Sequence, residues 1–256
     1  MISPLASIAP EAKIGKNVTI HPFAYIEKDV EIGDNCEIMS FASVLNGTRM
    51  GCRNRVFQSA VLGAEPQDFS YKKGEPSSLI IGDGNDIREN VVIARGVCAD
   101  GATRIGNENS IMERTHICHD TAIGNQCVIG IGSTIAGECV LEDHVIISGL
   151  VILYQHVRIG QWSLIQGGCR ISKDVPPYLI MNGNPAEYHG VNASLLTREG
   201  FSERVQRHII ATYRLIYQGN TSIQDALLRI PDQVPMSEEI QNIIDFITAS
   251  TRGIVK

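Results

Sequence analysis

From Ile105 to Ile171 every sixth residue is aliphatic, with Ile111, Ile117, Ile123, Ile129, Ile135, Leu141, Ile147, Leu153, Ile159 and Ile165 between them. A period of six is neither the 3.6 of a helix nor the 2 of a single strand, so no one amphipathic element accounts for it. A short fixed repeat marks a stacked solenoid, and a hexapeptide repeat marks a parallel β-helix. From Ile117 on, two residues before each aliphatic stands a small or β-branched residue, among them Thr115, Thr121, Cys127, Ser133 and Cys139. The spacing predicts two inward positions per six, the large one in the core and the small one where the chain turns. Three sixes close one triangular coil of 18 residues. Ile105-Gly106, Ile123-Gly124 and Ile159-Gly160 recur at multiples of that longer period. The same six-residue repeat runs earlier from Ile8 through Ile14, Ile20, Ile26, Ile32 and Ile38 to Leu62.

The frame breaks twice. Between about 63 and 80 the chain turns polar, with Gly63, Pro66, Gly74 and Pro76, and the frame returns at Ile81, Ile87 and Ile93. An insert in a stack must leave it as a loop, and loops often carry function. Arg95 to Arg104 reads as a smaller excursion. After Ile171, Pro176-Pro177 and Asn182-Gly183 end the coil, and the rest reads as helix. Val205, Ile209, Tyr213, Ile216 and Tyr217 follow the 3.6 period within 201–218. Thr221 and Gln224 have capping-box spacing. Ser237 suits an N-cap, Glu238 and Glu239 suit the positive helix end, and Ile240, Ile243, Ile244 and Ile247 form a stripe. The expected organisation is mainly β: a parallel β-helix over 1–186 and a C-terminal helical domain over 187–256. The tail covers the open end of the solenoid or packs on a neighbouring subunit.

Composition narrows the function. A net charge of −6 gives no cationic field for nucleic acid. No apolar run approaches 18 residues and no leader pattern opens the chain, so a cytoplasmic protein with no membrane insertion is expected. Aromatic residues make up 5%, which fits an interior filled by aliphatics. Of the seven cysteines, Cys36, Cys127, Cys139 and Cys169 fall on the small inward position and read as buried thiols.

Residues 18 apart stack at the roughly 4.8 Å spacing of parallel strands. His119 therefore lies under Gly137, and Gly137 under Gln155. An imidazole can act as general base. A neighbouring carboxylate, Asp120, can fix its tautomer, although alternation along a strand would turn Asp120 to the other face. A bare glycine N–H can receive an oxyanion. His116 and His119 invite a metal reading, but on a strand-and-corner path they sit on different parts of a coil. His144 and His156 complete no ligand set, and metal: none is the expectation.

The run His116-Ile117-Cys118-His119-Asp120, with Ala136-Gly137, Gln155, Gly167-Gly168-Cys169 and Lys173 to Tyr178, resembles the UDP-N-acetylglucosamine O-acyltransferases of lipid A biosynthesis. So do Pro66-Gln67-Asp68, Gly82-Asp83, Ile87-Arg88-Glu89, Gly190-Val191-Asn192 and Gly200-Phe201-Ser202. The similarity covers the whole chain. It implies a left-handed coil, a homotrimer with sites between subunits, and no cofactor. It also implies transfer of a 3-hydroxyacyl group from acyl carrier protein to the sugar 3-OH of UDP-N-acetylglucosamine or a related nucleotide sugar. His119 matches the general base, Asp120 its neighbour, and Gly137 the oxyanion N–H. Gln67, Asp68, His116, Gln155, Asn192 and Arg198 match substrate contacts, and Gly167 matches a position limiting acyl length. Ser70 stands where the family has lysine, and Ala94 and Glu138 where it has histidine. Tyr154 and His156 flank Gln155 in place of His and Phe, and Glu199 replaces an arginine. Besides the family reaction, two readings stand: a related acyltransferase with another nucleotide-sugar acceptor, and a non-catalytic nucleotide-sugar-binding paralogue.

Overall fold

Among the described residues, three short strands per coil, one per hexapeptide, stack into sheets of nine, eight and ten strands, parallel throughout except for the antiparallel pair Leu179–Asn182 and Glu187–Val191 that ends the ten-stranded sheet. The structure is a computed structural model and describes residues 1–219 and 221–256. Each coil places its large aliphatics inward, and Ile20, Ile38, Ile87, Ile111, Ile129 and Ile147 are fully buried. Each such side chain contributes about 1.5–3 kcal/mol of burial, against the entropy of ordering its strand. The small positions are buried too, including Thr115, Cys127, Ser133 and Cys139. Burial pushes the Cys127 and Cys139 thiols up to about 12, so they stay protonated and unreactive.

The register follows the period of 18. His116 pairs with Thr134, and Thr134 with Ile152. In the same sheet Val61 pairs with Val92 and Val92 with His116, separations of 31 and 24, so two excursions leave the stack there. Gly63 and Ala64 still belong to the strand Val61–Ala64, and the next strand begins at Ser78. The larger excursion therefore covers residues 65–77, and the smaller covers residues 95–101. Both leave from the corner that follows the nine-stranded sheet, here the first corner. His119-Asp120, Gly137-Glu138 and Gln155-His156 are that corner's turns in the three coils above. The second corner follows the eight-stranded sheet and the third follows the ten-stranded sheet.

The coil winds left-handed, against the usual right-handed crossover of parallel strands. Its turns place a non-glycine residue in the left-handed backbone region, among them Arg114, Asp120, Glu138 and His156 at φ 59°, 54°, 59° and 63°. Inside the second corner the small position carries a buried asparagine ladder. The Asn85 amide donates to Asn54 Oδ1 at 2.9 Å, and Asn109 donates to Asn85 Oδ1 at 2.9 Å.

Among the described residues four helices follow: α1 (Ala193–Arg198), α2 (Glu203–Gln218), α3 (Ile223–Gln233) and α4 (Glu238–Thr248). Ser202 caps α2 by accepting from Val205 N–H. The cap of α3 is Ser222, one residue later than the Thr221 expected from spacing. Its hydroxyl oxygen accepts from Asp225 N–H at 3.0 Å and its hydroxyl donates to the Asp225 carboxylate. Ser237 sits at the N-cap of α4 but bonds Glu239 instead of a backbone N–H. The tail closes the upper end of the coil. Tyr213 donates to the Pro177 carbonyl at 2.6 Å, and buried Asp174 accepts from Arg158 N–H and the Ser250 hydroxyl. Among the described residues no helix is long and apolar enough to cross a membrane.

Candidate active site

His119 is 6% exposed, although it sits on the outside of a coil. The two excursions of the first corner flank it, Asp68 from the larger and Val97 from the smaller. Its Nδ1 lies 3.0 Å from Asp120 Oδ2. Alternation along a strand does not separate the two residues, because they form the corner turn and Asp120 adopts the left-handed conformation. Asp120 Oδ2 also accepts from Val97 N–H at 3.0 Å. With Nδ1–H donating to a carboxylate, Nε2 is the nitrogen free to accept a proton.

Nε2 faces the larger excursion, where Asp68 Oδ2 stands 3.5 Å away. That separation is too long for a direct hydrogen bond. Asp68 is held by Ser70, whose hydroxyl and N–H both donate to Oδ1. The Ser70 hydroxyl and then its N–H hold the Asp68 carboxyl below its ordinary value, so it stays ionised. Gly137 lies directly above the ring: a β-carbon there would be 2.6 Å from His119 Nε2. The Gly137 N–H has no acceptor among the described residues, while its carbonyl accepts from His156 N–H. A base, a carboxylate across from it and a bare N–H can serve proton transfer beside a carbonyl that develops negative charge.

The other expected residues divide by corner. Gln155 stands two coils above His119 on the first corner, exposed, with its amide donating to Glu138 Oε1 at 3.1 Å. His116 lies on the strand leading to His119, half-buried, and burial lowers its imidazole pKa. Gln67 is exposed on the excursion. Asn192 belongs with the second corner: it is buried, and its amide donates to the Trp162 carbonyl at 3.1 Å. Arg198 is exposed at the end of α1. Gly167 lies on the third corner, where a β-carbon would meet only the Gly149 carbonyl oxygen at 3.2 Å. Arg95, Val97 and Tyr71 also build the site and escaped the sequence reading. The two breaks in the six-residue frame, at about 63–80 for Tyr71 and at 95–104 for Arg95 and Val97, are their signal. Among the described residues no group of three or more His, Cys, Asp or Glu side chains is placed to hold a metal ion.

A family profile described as UDP N-acetylglucosamine O-acyltransferase, domain 2, matches residues 174–255, and a bacterial transferase hexapeptide profile matches 11–46. The Halorhodospira halophila protein named acyl-[acyl-carrier-protein]–UDP-N-acetylglucosamine O-acyltransferase is 44% identical over 100% of this chain and 99% of that one. The crystal structure of the UDP-N-acetylglucosamine acyltransferase of Bacteroides fragilis superposes with a TM-score of 0.98 at 50% identity, covering 100% of both chains. The Francisella novicida enzyme superposes at 0.96 with 34% identity, over 100% of this chain and 94% of that one.

The chain belongs to the UDP-N-acetylglucosamine O-acyltransferase family.

Within this acyltransferase family the departures noted in the sequence have local partners. Ser70 clamps Asp68. Glu138 takes His156 Nδ1 at 3.2 Å on one oxygen and the Gln155 amide on the other. Glu199 takes Arg198 Nε at 2.9 Å. Ala94 is buried in its strand, where Ala64 and Ala94 pair.

Proposed function

We propose that this acyltransferase moves a 3-hydroxyacyl chain from acyl carrier protein to the 3-OH of UDP-N-acetylglucosamine, the opening reaction of lipid A biosynthesis. The observation that carries the site assignment is the His119 imidazole. It is fixed at Nδ1 by Asp120, lies against Gly137, and opens at Nε2 toward Asp68. The acceptor hydroxyl sits at Nε2. His119 takes its proton as the oxygen attacks the thioester carbonyl. The Gly137 N–H receives the oxyanion of the tetrahedral intermediate. Collapse breaks the C–S bond, and the imidazolium returns the proton to the departing carrier thiolate. The donor thioester supplies the activation, and no cofactor takes part.

Gln67, Asp68, His116 and Gln155 serve as acceptor and donor contacts around the first corner. Asn192 and Arg198 serve the nucleotide, and Gly167 leaves the acyl groove open. We place the division of labour at residue 186: the β-helix unit supplies the base, and the helical unit of 187–256 supplies the nucleotide contacts. These groups occupy three different corners of one chain, which supports a homotrimer whose sites lie between subunits. Acyl carrier protein and nucleotide sugars meet in the cytoplasm, and the protein is placed there.

The test is turnover with a panel of acyl carrier thioesters on UDP-N-acetylglucosamine, for wild type and His119→Ala. Losing a positioned base costs on the order of 10²–10⁴ in rate. The expected result is such a loss in kcat, with nucleotide-sugar binding nearly unchanged. Wild-type turnover on a different nucleotide sugar alone would transfer the assignment to that acceptor. Binding without turnover on any pair would make the chain a binding paralogue.

A further inference from the structure

We propose that Arg95 is a positioning residue of the acyl transfer, pinning the 65–77 excursion so that Asp68 stays beside the His119 imidazole. The proposal rests on the reading of His119 as the base.

The 65–77 segment has little of its own to hold it. Glu65, Gln67, Phe69, Ser70, Lys72, Lys73, Gly74 and Pro76 are exposed. A segment with few buried apolar contacts belongs to the low-stability end of a fold. Yet it carries the carboxylate nearest Nε2. Arg95, the first residue of the smaller excursion, reaches that segment with its guanidinium, and only 11% of the Arg95 side chain is exposed. Its Nη1 donates to the Gly63 carbonyl at 3.0 Å and its Nη2 to the Tyr71 hydroxyl at 2.7 Å. Glu65 is 3.7 Å from Nη2, and the guanidinium carbon lies 5.8 Å from the Tyr71 ring centroid. The guanidinium thus grips both sides of the tip that holds Asp68. From Tyr71 the chain of contacts is short: Tyr71 N–H donates to the Asp68 carbonyl, and Ser70 fixes the Asp68 carboxylate. The planar fork makes divergent bonds that a lysine ammonium on a longer, mobile stem cannot reproduce together.

The backbone after Arg95 works to the same end. Arg95 N–H donates to Ala64, Gly96 N–H to Ser78 and Asp100 N–H to Pro76, which ties the small excursion to both ends of the large one. Val97 N–H bonds Asp120. One segment, 95–101, therefore bears on both carboxylates that flank the imidazole.

The experiment uses the full-length enzyme and three variants: Arg95→Met, Arg95→Lys and Tyr71→Phe. Tyr71→Phe removes only the hydroxyl that Arg95 holds and keeps the ring. Two readouts are taken. The first is kcat and KM for each substrate, and the second is the rate of tryptic cleavage at exposed Lys72 and Lys73. For Arg95→Met we expect kcat/KM for the nucleotide sugar to fall about tenfold or more. The KM for the acyl carrier thioester should stay within about twofold, and cleavage should accelerate by a similar order of magnitude. Arg95→Lys should fall between wild type and Arg95→Met. The double variant with Asp68→Asn should lose little beyond Asp68→Asn alone, because Arg95 acts through Asp68. A merely structural arginine would lower the unfolding midpoint and both KM values together, and that pattern overturns the proposal. So does wild-type cleavage with wild-type kinetics in Arg95→Met. If Arg95→Met fails to fold, Tyr71→Phe decides by the same two readouts. If wild type turns over no substrate pair, the reading of the base falls, and unchanged cleavage in the variants would then sink the anchor as well.

Discussion

A β-carbon built on Gly137 would lie 2.5 Å from Cε1 and 2.6 Å from Nε2 of His119, far inside van der Waals contact. The glycine thus does two things at once: it bares an N–H and leaves room for the ring. Gly137→Ala separates them, since it keeps the N–H and fills the room. The ring must shift, and a displacement near 1 Å at a reacting group costs on the order of 10² in rate. We expect Gly137→Ala to lose about 10²-fold in kcat while its unfolding midpoint stays near wild type. A kcat within twofold of wild type would show that the imidazole tolerates the methyl group. His116 bears on stability instead. Burial lowers its pKa from 6.5, so the folded chain holds it neutral while the unfolded chain protonates it. Its contribution is complete above about pH 6.5 and is lost as pH falls below that value. The urea midpoint should therefore decline between about pH 7.5 and 5.5, and His116→Gln should flatten that decline. Equal declines in the two proteins would remove His116 as the cause.

The strands are legible in the sequence because one large aliphatic recurs every six residues, and stacking makes that the inward column. The corners are less so. A left-handed turn residue is normally announced by glycine or asparagine, yet Arg114, Glu138, His144 and Trp162 hold such turns here. The ladder hydrogen bonds of neighbouring coils impose the conformation whatever the side chain. The asparagine ladder was hidden for a related reason. Asn54, Asn85 and Asn109 look like polar loop residues, and only their place two before an aliphatic marks them as inward. The site was readable where register sets it, as with His119 beneath Gly137. It was unreadable where an excursion sets it, since the contacts of Arg95 and Tyr71 follow no period. The same inward columns contain a weak point. The hydroxyl of Thr103 is buried without a hydrogen-bond partner among the described residues. An unpaired buried hydroxyl costs about 1–3 kcal/mol, and valine has nearly the same shape. Thr103→Val should raise stability by about 1 kcal/mol in urea unfolding. A loss of stability would mean that the hydroxyl has a partner in solution, such as an ordered water.

On the scale of the whole molecule, no single chain brings all the candidate groups together. His119, Asp120, Gly137, Gln155 and Asp68 share the first corner, Asn192 is tied to the second, and Gly167 lies on the third. A triangular prism cannot face one ligand with three edges. In the proposed threefold assembly each cleft is lined by two neighbouring chains, so groups on different corners of one chain can meet there from two chains. This gives a test that needs no structure of the assembly. His119→Ala removes the base from one side of a cleft. Arg198→Ala removes a cation from the other, and Arg198 is exposed enough for its loss to leave the fold alone. Each variant alone should be nearly inactive at low nucleotide-sugar concentration. Under the proposed threefold assembly, co-expression in equal amounts gives mixed trimers. A cleft is intact when one neighbour supplies His119 and the other supplies Arg198, which random assembly gives for about one quarter of the clefts. Recovery of about a quarter of wild-type activity is therefore expected from the mixture. If both residues acted within one chain, every cleft would lack one of them and the mixture would stay as inactive as its parents. A monomer by light scattering at micromolar concentration would give the same failure and would remove the shared cleft altogether.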